Sequence, residues 1–282
     1  MSFQSIFSCL IILFFTACAH PKEPSHNFSW EMEFLADDMY TKNGERISLH
    51  SNKHSIPIDT FRDYEKKIYA VAVSADEKYL AVGGHIEGDS LNNSYISLYH
   101  YNESKPFKTL MSHSDTVNDL AFSSDSQYLV SASEDNSVKI WSIKDLALKQ
   151  TISFHENSVY GVQMVKDGSS YKVLSVGADK QIALHTFNET TNSVTLNKKH
   201  LHVYKLKYIS YDKIKKEFAV CGEAKEVAIY DLALNHIKTI STEMIPHRLW
   251  YGRNRTALIV GGGKYSSRIT IYKTSDYTLY YK

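Results

Sequence analysis

HSDTVNDLAFSSDSQYLVSASEDNSVKIWS, residues 113–142, decides how the rest of the chain is read. Val117, Leu120 and Phe122 mark a short first strand, and a turn through Ser124-Asp125-Ser126-Gln127 follows it. Tyr128 to Ser133 alternates as a second strand, and Val138 to Trp141 makes a third. Between them Asp135-Asn136 forms a tight turn, because both residue types hydrogen-bond the local backbone and tolerate left-handed angles. Gln150 to Phe154 reads as a fourth strand, and His155 then restarts the cycle with Val159 and Val162 in step. Asp125, in the outer turn, is expected to contribute little to stability.

The third strand has a signature: apolar, any residue, apolar, then an aromatic or His. It recurs as Ile47–His50, Ile96–Tyr99, Val138–Trp141, Ile182–His185, Val227–Tyr230 and Ile269–Tyr272, with starts 49, 42, 44, 45 and 42 residues apart. Alternation of this kind is a strand with one face buried. A repeat of about 40 to 45 residues is the length of one four-stranded propeller blade. Such a blade cannot bury both of its faces alone, so stacking the repeats in a ring is what makes them fold.

These residues resemble the WD40 family. There, a His before the first strand, a Ser or Thr in the second, an Asp in the tight turn and a Trp in the third form a buried hydrogen-bond network. The matching positions here are His113, Ser131 or Ser133, Asp135 and Trp141, with Ser112 in place of the usual Gly and Ser142 in place of the usual Asp. The next repeat keeps His155 and Asp179 and puts His185 at the Trp position; the one after offers Tyr230-Asp231, with Ala224 at the turn Asp. The resemblance implies an all-β propeller of WD40-like four-stranded blades that binds other proteins and has no catalytic activity. Five repeats from about Tyr64 onward, plus an N-terminal unit drawn from Phe28–Phe34, Ile47–His50 and Ile56–Phe61, predict six blades over residues 28–282, with seven as the alternative.

The N-terminus follows a different rule. Residues 1–17 carry no charge, and Ile6–Phe15 is an apolar run interrupted by Ser8. That is too short to span a bilayer, which takes about 20 residues, and is the length of a secretory signal core. Phe15-Thr16-Ala17-Cys18 then resembles the lipobox of bacterial lipoproteins, although Phe15 replaces the usual Leu and no Lys or Arg precedes the run. This implies a signal peptide at 1–17, lipidation of Cys18, a linker at 18–27 and a periplasmic, membrane-anchored propeller. An ordinary signal peptide or a buried N-terminal segment is the alternative. Of the three cysteines, Cys9 leaves with the signal and Cys18 takes the lipid, so Cys221 has no disulfide partner in the mature form.

Charge is balanced, with 32 Lys+Arg against 31 Asp+Glu, and no basic stripe argues for nucleic acid. Gly261-Gly262-Gly263 lacks the Lys-Ser/Thr and helix of a phosphate loop. His200-Leu201-His202 puts two imidazoles on one side of a strand without a third ligand nearby in sequence, and Lys213-Ile214-Lys215-Lys216 reads as a solvated turn. Asp37-Asp38, Asp76-Glu77 and Glu87 with Asp89 read as turn residues. No catalytic constellation, cofactor or metal site is expected. The reading is a monomeric protein–protein interaction scaffold. An accessory factor for a periplasmic redox enzyme such as periplasmic nitrate reductase, and an enzyme or ligand-binding propeller, are the alternatives. Two long loops, His85–Asn93 and Asn188–Lys199, are expected to project on opposite faces.

Overall fold

The computed structural model describes residues 66–86, 94–101, 103, 105–251, 257–262 and 268–281, together with four two-residue strands nearer the N-terminus. These are β1 (Leu10–Ile11) paired with β2 (Phe34–Leu35), and β3 (Met39–Tyr40) paired with β4 (Arg46–Ile47). Every later strand belongs to a four-stranded antiparallel sheet. Blade 1 is β5 (Lys66–Val73), β6 (Tyr79–Ile86), β7 (Ser94–His100) and β8 (Lys108–Leu110). Blade 2 is β9 (Val117–Phe122), β10 (Tyr128–Ser133), β11 (Val138–Ser142) and β12 (Ala147–Ile152). Blade 3 is β13 (Val159–Asp167), β14 (Ser170–Gly177), β15 (Gln181–Asn188) and β16 (Ser193–Leu201). Blade 4 is β17 (Leu206–Asp212), β18 (Glu217–Gly222), β19 (Glu226–Asp231) and β20 (His236–Ser241). Blade 5 is β21 (Pro246–Tyr251), β22 (Ala257–Gly262), β23 (Arg268–Lys273) and β24 (Leu279–Tyr281).

In blades 1 to 4 both faces of the middle strands are largely dry, and β10 and β11 are buried almost without interruption. Leu129 and Trp141 pack toward blade 1 with Ala70, Ala81, Ile96 and Leu98. Val130, Ala132 and Ile140 pack the other way, against Val162, Val173 and Phe187 of blade 3. The same alternation joins blade 3 to blade 4 and blade 4 to blade 5. The inner strands pack in the order β5, β9, β13, β17, β21. No packing of comparable extent joins β21 back to β5 among the described residues. On its other flank blade 1 has a cluster of its own residues: Leu80, Val82, Tyr95 and Tyr99.

The described residues thus form five blades, not the six or seven expected. The N-terminal unit does not assemble as a four-stranded sheet among them: Phe34 pairs with Ile11, and Ile47 with Met39. A four-residue signature such as Ile47–His50 is too short to demand three hydrogen-bonded neighbours, and this overcounted the blades. The expected signal peptide (1–17), Cys18 and the linker (18–27) lie outside the described residues, apart from Leu10–Ile11. So do Asp37-Asp38, Glu87 and Asp89, and most of the loop from His85 to Asn93.

The other long loop is a hairpin. Asn188 Oδ1 accepts from the Thr190 and Thr191 amides at 3.0 and 3.1 Å, Asn192 takes φ 46°, and Ser193–Leu201 pairs along β15 as β16. The Val194-Thr195-Leu196 alternation was masked by the polar residues around it. No helix among the described residues is long and apolar enough to cross a membrane.

Candidate functional site: polar networks and the face they hold

The connection into each inner strand and the tight turn between the second and third strands lie together on one face, called here the upper face. The Glu134 amide donates to Thr116 O at 2.9 Å, Ala178 to Ser158 O at 2.8 Å, and Glu223 to Lys205 O at 3.1 Å. In blade 4 the approach is so close that a Cβ on Gly222 would collide with the Lys205 carbonyl.

In blade 2 the junction is closed by a chain of donors. Trp141 Nε1–H donates to Ser131 Oγ at 2.9 Å, and Ser131 Oγ lies 2.7 Å from His113 Nε2. His113 Nδ1 meets Asp135 Oδ2 at 2.7 Å. Ser137 Oγ donates to Asp135 Oδ1 at 2.6 Å, and the Ser114 and Ser137 amides donate to the same carboxylate at 3.1 and 2.9 Å. Burial lowers the His113 pKa against the pull of Asp135, so the ring is neutral with its proton on Nδ1. Burial opposes ionisation of Asp135, but the hydrogen bonds from His113, Ser137 and the Ser114 amide outweigh it and hold its carboxyl well below the usual range. Of the two candidate serines, Ser131 is the network member. Ser133 accepts from the Asp135 amide at 3.1 Å and donates to Asp115 O at 2.9 Å, bracing the turn.

Blade 3 repeats three of the four parts. His155 Nε2 is 2.7 Å from Ser175 Oγ, and His155 Nδ1 is 2.9 Å from Asp179 Oδ2. Ser175 is the serine that the sequence reading did not name. The fourth part differs: Val173 pairs with His185 as Leu129 pairs with Trp141, so an imidazole stands at the indole position. His185 is 4% exposed, its Nδ1 has no hydrogen-bond partner, and burial, then the nearby His155, push its pKa down to about 4. In blade 4 the serine and aspartate positions hold Val220 and Ala224, and His202 reaches Tyr230 Oη directly at 2.7 Å. The His200–His202 pair considered as metal ligands is therefore divided. His202 fills a network position and His200 is exposed at the end of β16, with ring centroids 5.3 Å apart.

Ser–His–Asp in this order has the connectivity of a hydrolytic triad, and burial decides against that chemistry. Ser131 is fully buried and its oxygen already accepts from Trp141. Ser175 is buried as well, with its oxygen against His155 Nε2. Neither hydroxyl can meet a substrate, so the networks hold the turns rather than perform a reaction. Cys221 is likewise buried, its thiol pushed up by desolvation, with Sγ 3.9 Å from Pro246 O. Among the described residues no group of three or more His, Cys, Asp or Glu is arranged to hold a metal.

On the opposite, lower face, latches join neighbouring blades. Asp125 Oδ2 accepts from Lys166 Nζ and Tyr171 Oη of blade 3, both at 2.8 Å, while Ser123 Oγ donates to its Oδ1 at 2.7 Å. Asp125 is thus a cross-blade staple, contrary to its reading as an inert turn residue. Lys215 of the basic turn is similarly engaged: it bonds Thr274 O of blade 5 and lies 4.8 Å from the Tyr277 ring centroid. Asp119 on β9 accepts from the Val162 amide at 2.9 Å, and desolvation raises its pKa to about 6. Partners 41 to 46 residues apart, one repeat length, are the signal that finds such latches.

Residues 104–142 match the family model described as WD40: WD domain, G-beta repeat. A comparison with curated proteins found no match. Among solved structures the chain is similar to the WD40 β-propeller domain of Doa1, with 19% identity, a TM-score of 0.61, and coverage of 76% of this chain and 67% of that one. The chain has the fold of a WD40 β-propeller built of four-stranded blades, and its second blade carries the repeat itself.

Proposed function

We propose that this protein is a non-catalytic protein–protein interaction scaffold, held on the periplasmic side of a bacterial membrane by lipid on Cys18. The sealing of the Ser131–His113–Asp135 and Ser175–His155–Asp179 sets carries the non-catalytic part. WD40 propellers typically bind other proteins, and the exposed apolar side chains Met111, Leu201, Val203 and Ile245 on upper-face connections are what such binding uses. Anchoring rests on the apolar run Ile6–Phe15 and the Ala17-Cys18 junction. A lipobox cysteine carries two ester-linked acyl chains, enough for stable attachment.

Metabolic labelling with a fatty acid should mark the wild type and not Cys18→Ala, and the variant should leave the membrane fraction or remain unprocessed. An unlabelled wild type ends the anchoring reading. Affinity capture of the tagged chain from solubilised membranes, followed by mass spectrometry, tests the scaffold: a stoichiometric partner is expected. Recovery of a periplasmic oxidoreductase would narrow the role to an accessory factor for such an enzyme. Turnover by the purified chain alone would overturn the non-catalytic reading.

A further inference from the structure

The upper face is not uniform. The residue just after the network His position is Ser114 in blade 2, Glu156 in blade 3 and Glu243 in blade 5, all polar. In blade 4 it is Val203, 87% exposed, and Leu201 two residues earlier is 70% exposed. An isolated exposed apolar residue needs no explanation; here two lie two residues apart and are more exposed than Met111 and Ile245 on the connections of blades 2 and 5.

Lysines surround this pair. The His202 amide donates to Lys180 O at 2.8 Å, the Glu223 amide to Lys205 O at 3.1 Å, and the Thr242 amide to Lys225 O at 2.9 Å. These bonds set the turn of blade 3, the connection of blade 4, the turn of blade 4 and the connection of blade 5 in one continuous row. Lys180, Lys205 and Lys225 are exposed along it, and no ion pair engages them among the described residues. Of the acids along the row, Glu223 pairs with Lys207 at 3.3 Å and Glu226 accepts from Tyr204 Oη at 2.6 Å, while Glu243 marks the blade 5 end of the row. His247 beside the row is held below its ordinary pKa by burial, with Lys207 and Arg248 adding to the shift. Across the face the sign reverses. Asp115, Glu134 and Glu156 occupy the corresponding part of blades 2 and 3, and Glu134 is raised by burial and then by Asp115.

We propose that the upper face of blade 4 docks a short acidic segment of a partner protein, with its Asp and Glu over Lys180, Lys205 and Lys225 and its apolar side chains on Leu201 and Val203. This rests on the scaffold reading and gives that scaffold a binding surface and a partner chemistry. The acidic arc of blades 2 and 3 repels the same segment and so fixes where it lies, because complementary and like charges set register more than raw affinity.

The test pans a displayed library of random short peptides against the purified full chain in detergent and measures the enriched peptides by fluorescence polarisation. Enriched sequences should combine Asp and Glu with Leu, Phe or Met. Binding should weaken about tenfold or more in Lys205→Glu/Lys225→Glu and about fivefold in Val203→Ser. It should fall as salt rises and be unchanged or tighter in Asp115→Lys/Glu134→Lys. Val203, Lys205, Lys225 and Glu134 are exposed and Asp115 is half-buried, and unchanged melting temperatures check the fold. Enrichment of neutral or basic peptides, or affinities that ignore the blade 4 substitutions, overturns this surface while leaving the scaffold reading in place. No enriched peptide, together with no captured protein, overturns both. Phosphatidylglycerol vesicles bound by wild type and released by Lys205→Glu/Lys225→Glu, with no peptide bound, assign the row to lipid and overturn the proposal.

Discussion

Blades 2 and 3 hold the same His–Ser–Asp set in the same register and finish it differently. In blade 2 the indole of Trp141 starts a line of donors that runs through Ser131 and His113 to Asp135. In blade 3 the imidazole of His185 stands there instead, with one nitrogen buried and unpartnered. Blade 4 has discarded both the serine and the aspartate, and His202 bonds Tyr230 directly. The comparison teaches that these blades do not need a particular network: blade 4 satisfies its polar atoms with other residues, and blade 3 leaves His185 Nδ1 unsatisfied. An unsatisfied buried group costs about 1–3 kcal/mol, which is a large part of a domain's net stability.

The largest expected effect comes from removing the acceptor on which blade 2 converges. Asp135→Ala strips partners from His113 Nδ1, Ser137 and the Ser114 amide at once. It should lower stability by about 3 kcal/mol in urea denaturation. A loss below about 1 kcal/mol would show that the network is not what closes the blade.

Acid should act on blade 3 next. His185 titrates near 4 when folded and at about 6.5 when unfolded, so the unfolded chain binds the extra proton. The stability linked to it is present above about 6.5 and is lost progressively as pH falls toward 4, up to about 3 kcal/mol in all. The lowered His113 acts in the same direction, whereas Asp135 loses its contribution only below the ordinary carboxylate range. His185→Phe should therefore flatten the stability profile between pH 7 and pH 4 by about one proton's worth of slope, without removing acid unfolding below it. An unchanged slope would mean that the buried imidazole finds a partner.

A smaller effect tests the lower face. Asp125→Ala leaves Tyr171 Oη, on a side chain with no exposed surface, without its short acceptor, and frees Lys166. Glu189 at 3.5 Å is too distant to replace it fully. Lys166 is partly exposed and adds little, so the cost is that of two buried hydroxyls, Tyr171 Oη and Ser123 Oγ, about 1–3 kcal/mol. Tyr171→Phe should remove the Tyr171 share of the difference when the two changes are combined, leaving the share of Ser123.

The contrast between Asp135 and Asp125 also marks where sequence stops being legible. Asp135, His113 and Trp141 act within one repeat, at spacings that a repeated pattern displays, and the third strands of blades 1 to 5 are readable for the same reason, whereas β16 reads as a loop. Asp125 acts across one repeat length on Lys166 and Tyr171, and nothing inside its own turn announces that. The role of Ser175 was hidden because His155 and Asp179 flank it at a distance and its strand reads as apolar. The network role of His202 is not legible because its partner, Tyr230, lies 28 residues on and stands at the Trp position. The upper-face row of lysines was invisible because Lys180, Lys205 and Lys225 meet only through backbone bonds between blades.

The subtlest test transplants one blade's solution into the other. His185→Trp places an indole N–H opposite Ser175 Oγ, as Trp141 faces Ser131, and removes the unpartnered nitrogen. The indole is larger, however, and the space it needs is taken. Phe154 precedes His155, with its ring 5.5 Å from His185, and Lys199 Nζ lies 5.7 Å from the centroid of Phe154. The residue preceding His113 in blade 2 is Ser112. The two blades therefore fill one volume in two ways, as Ser with Trp or as Phe with His. His185→Trp alone should be close to neutral, its new hydrogen bond offset by overpacking of about 1–3 kcal/mol. Phe154→Ser alone should destabilise, since it opens space beside a side chain that cannot fill it. Together they should be more stable than the sum of the two by about 1 kcal/mol or more, read as the coupling in a double-mutant cycle on melting and denaturant data. Additive effects would mean that Phe154 and His185 fill separate spaces, and that the His–Trp exchange between blades 3 and 2 is not a matter of shared volume.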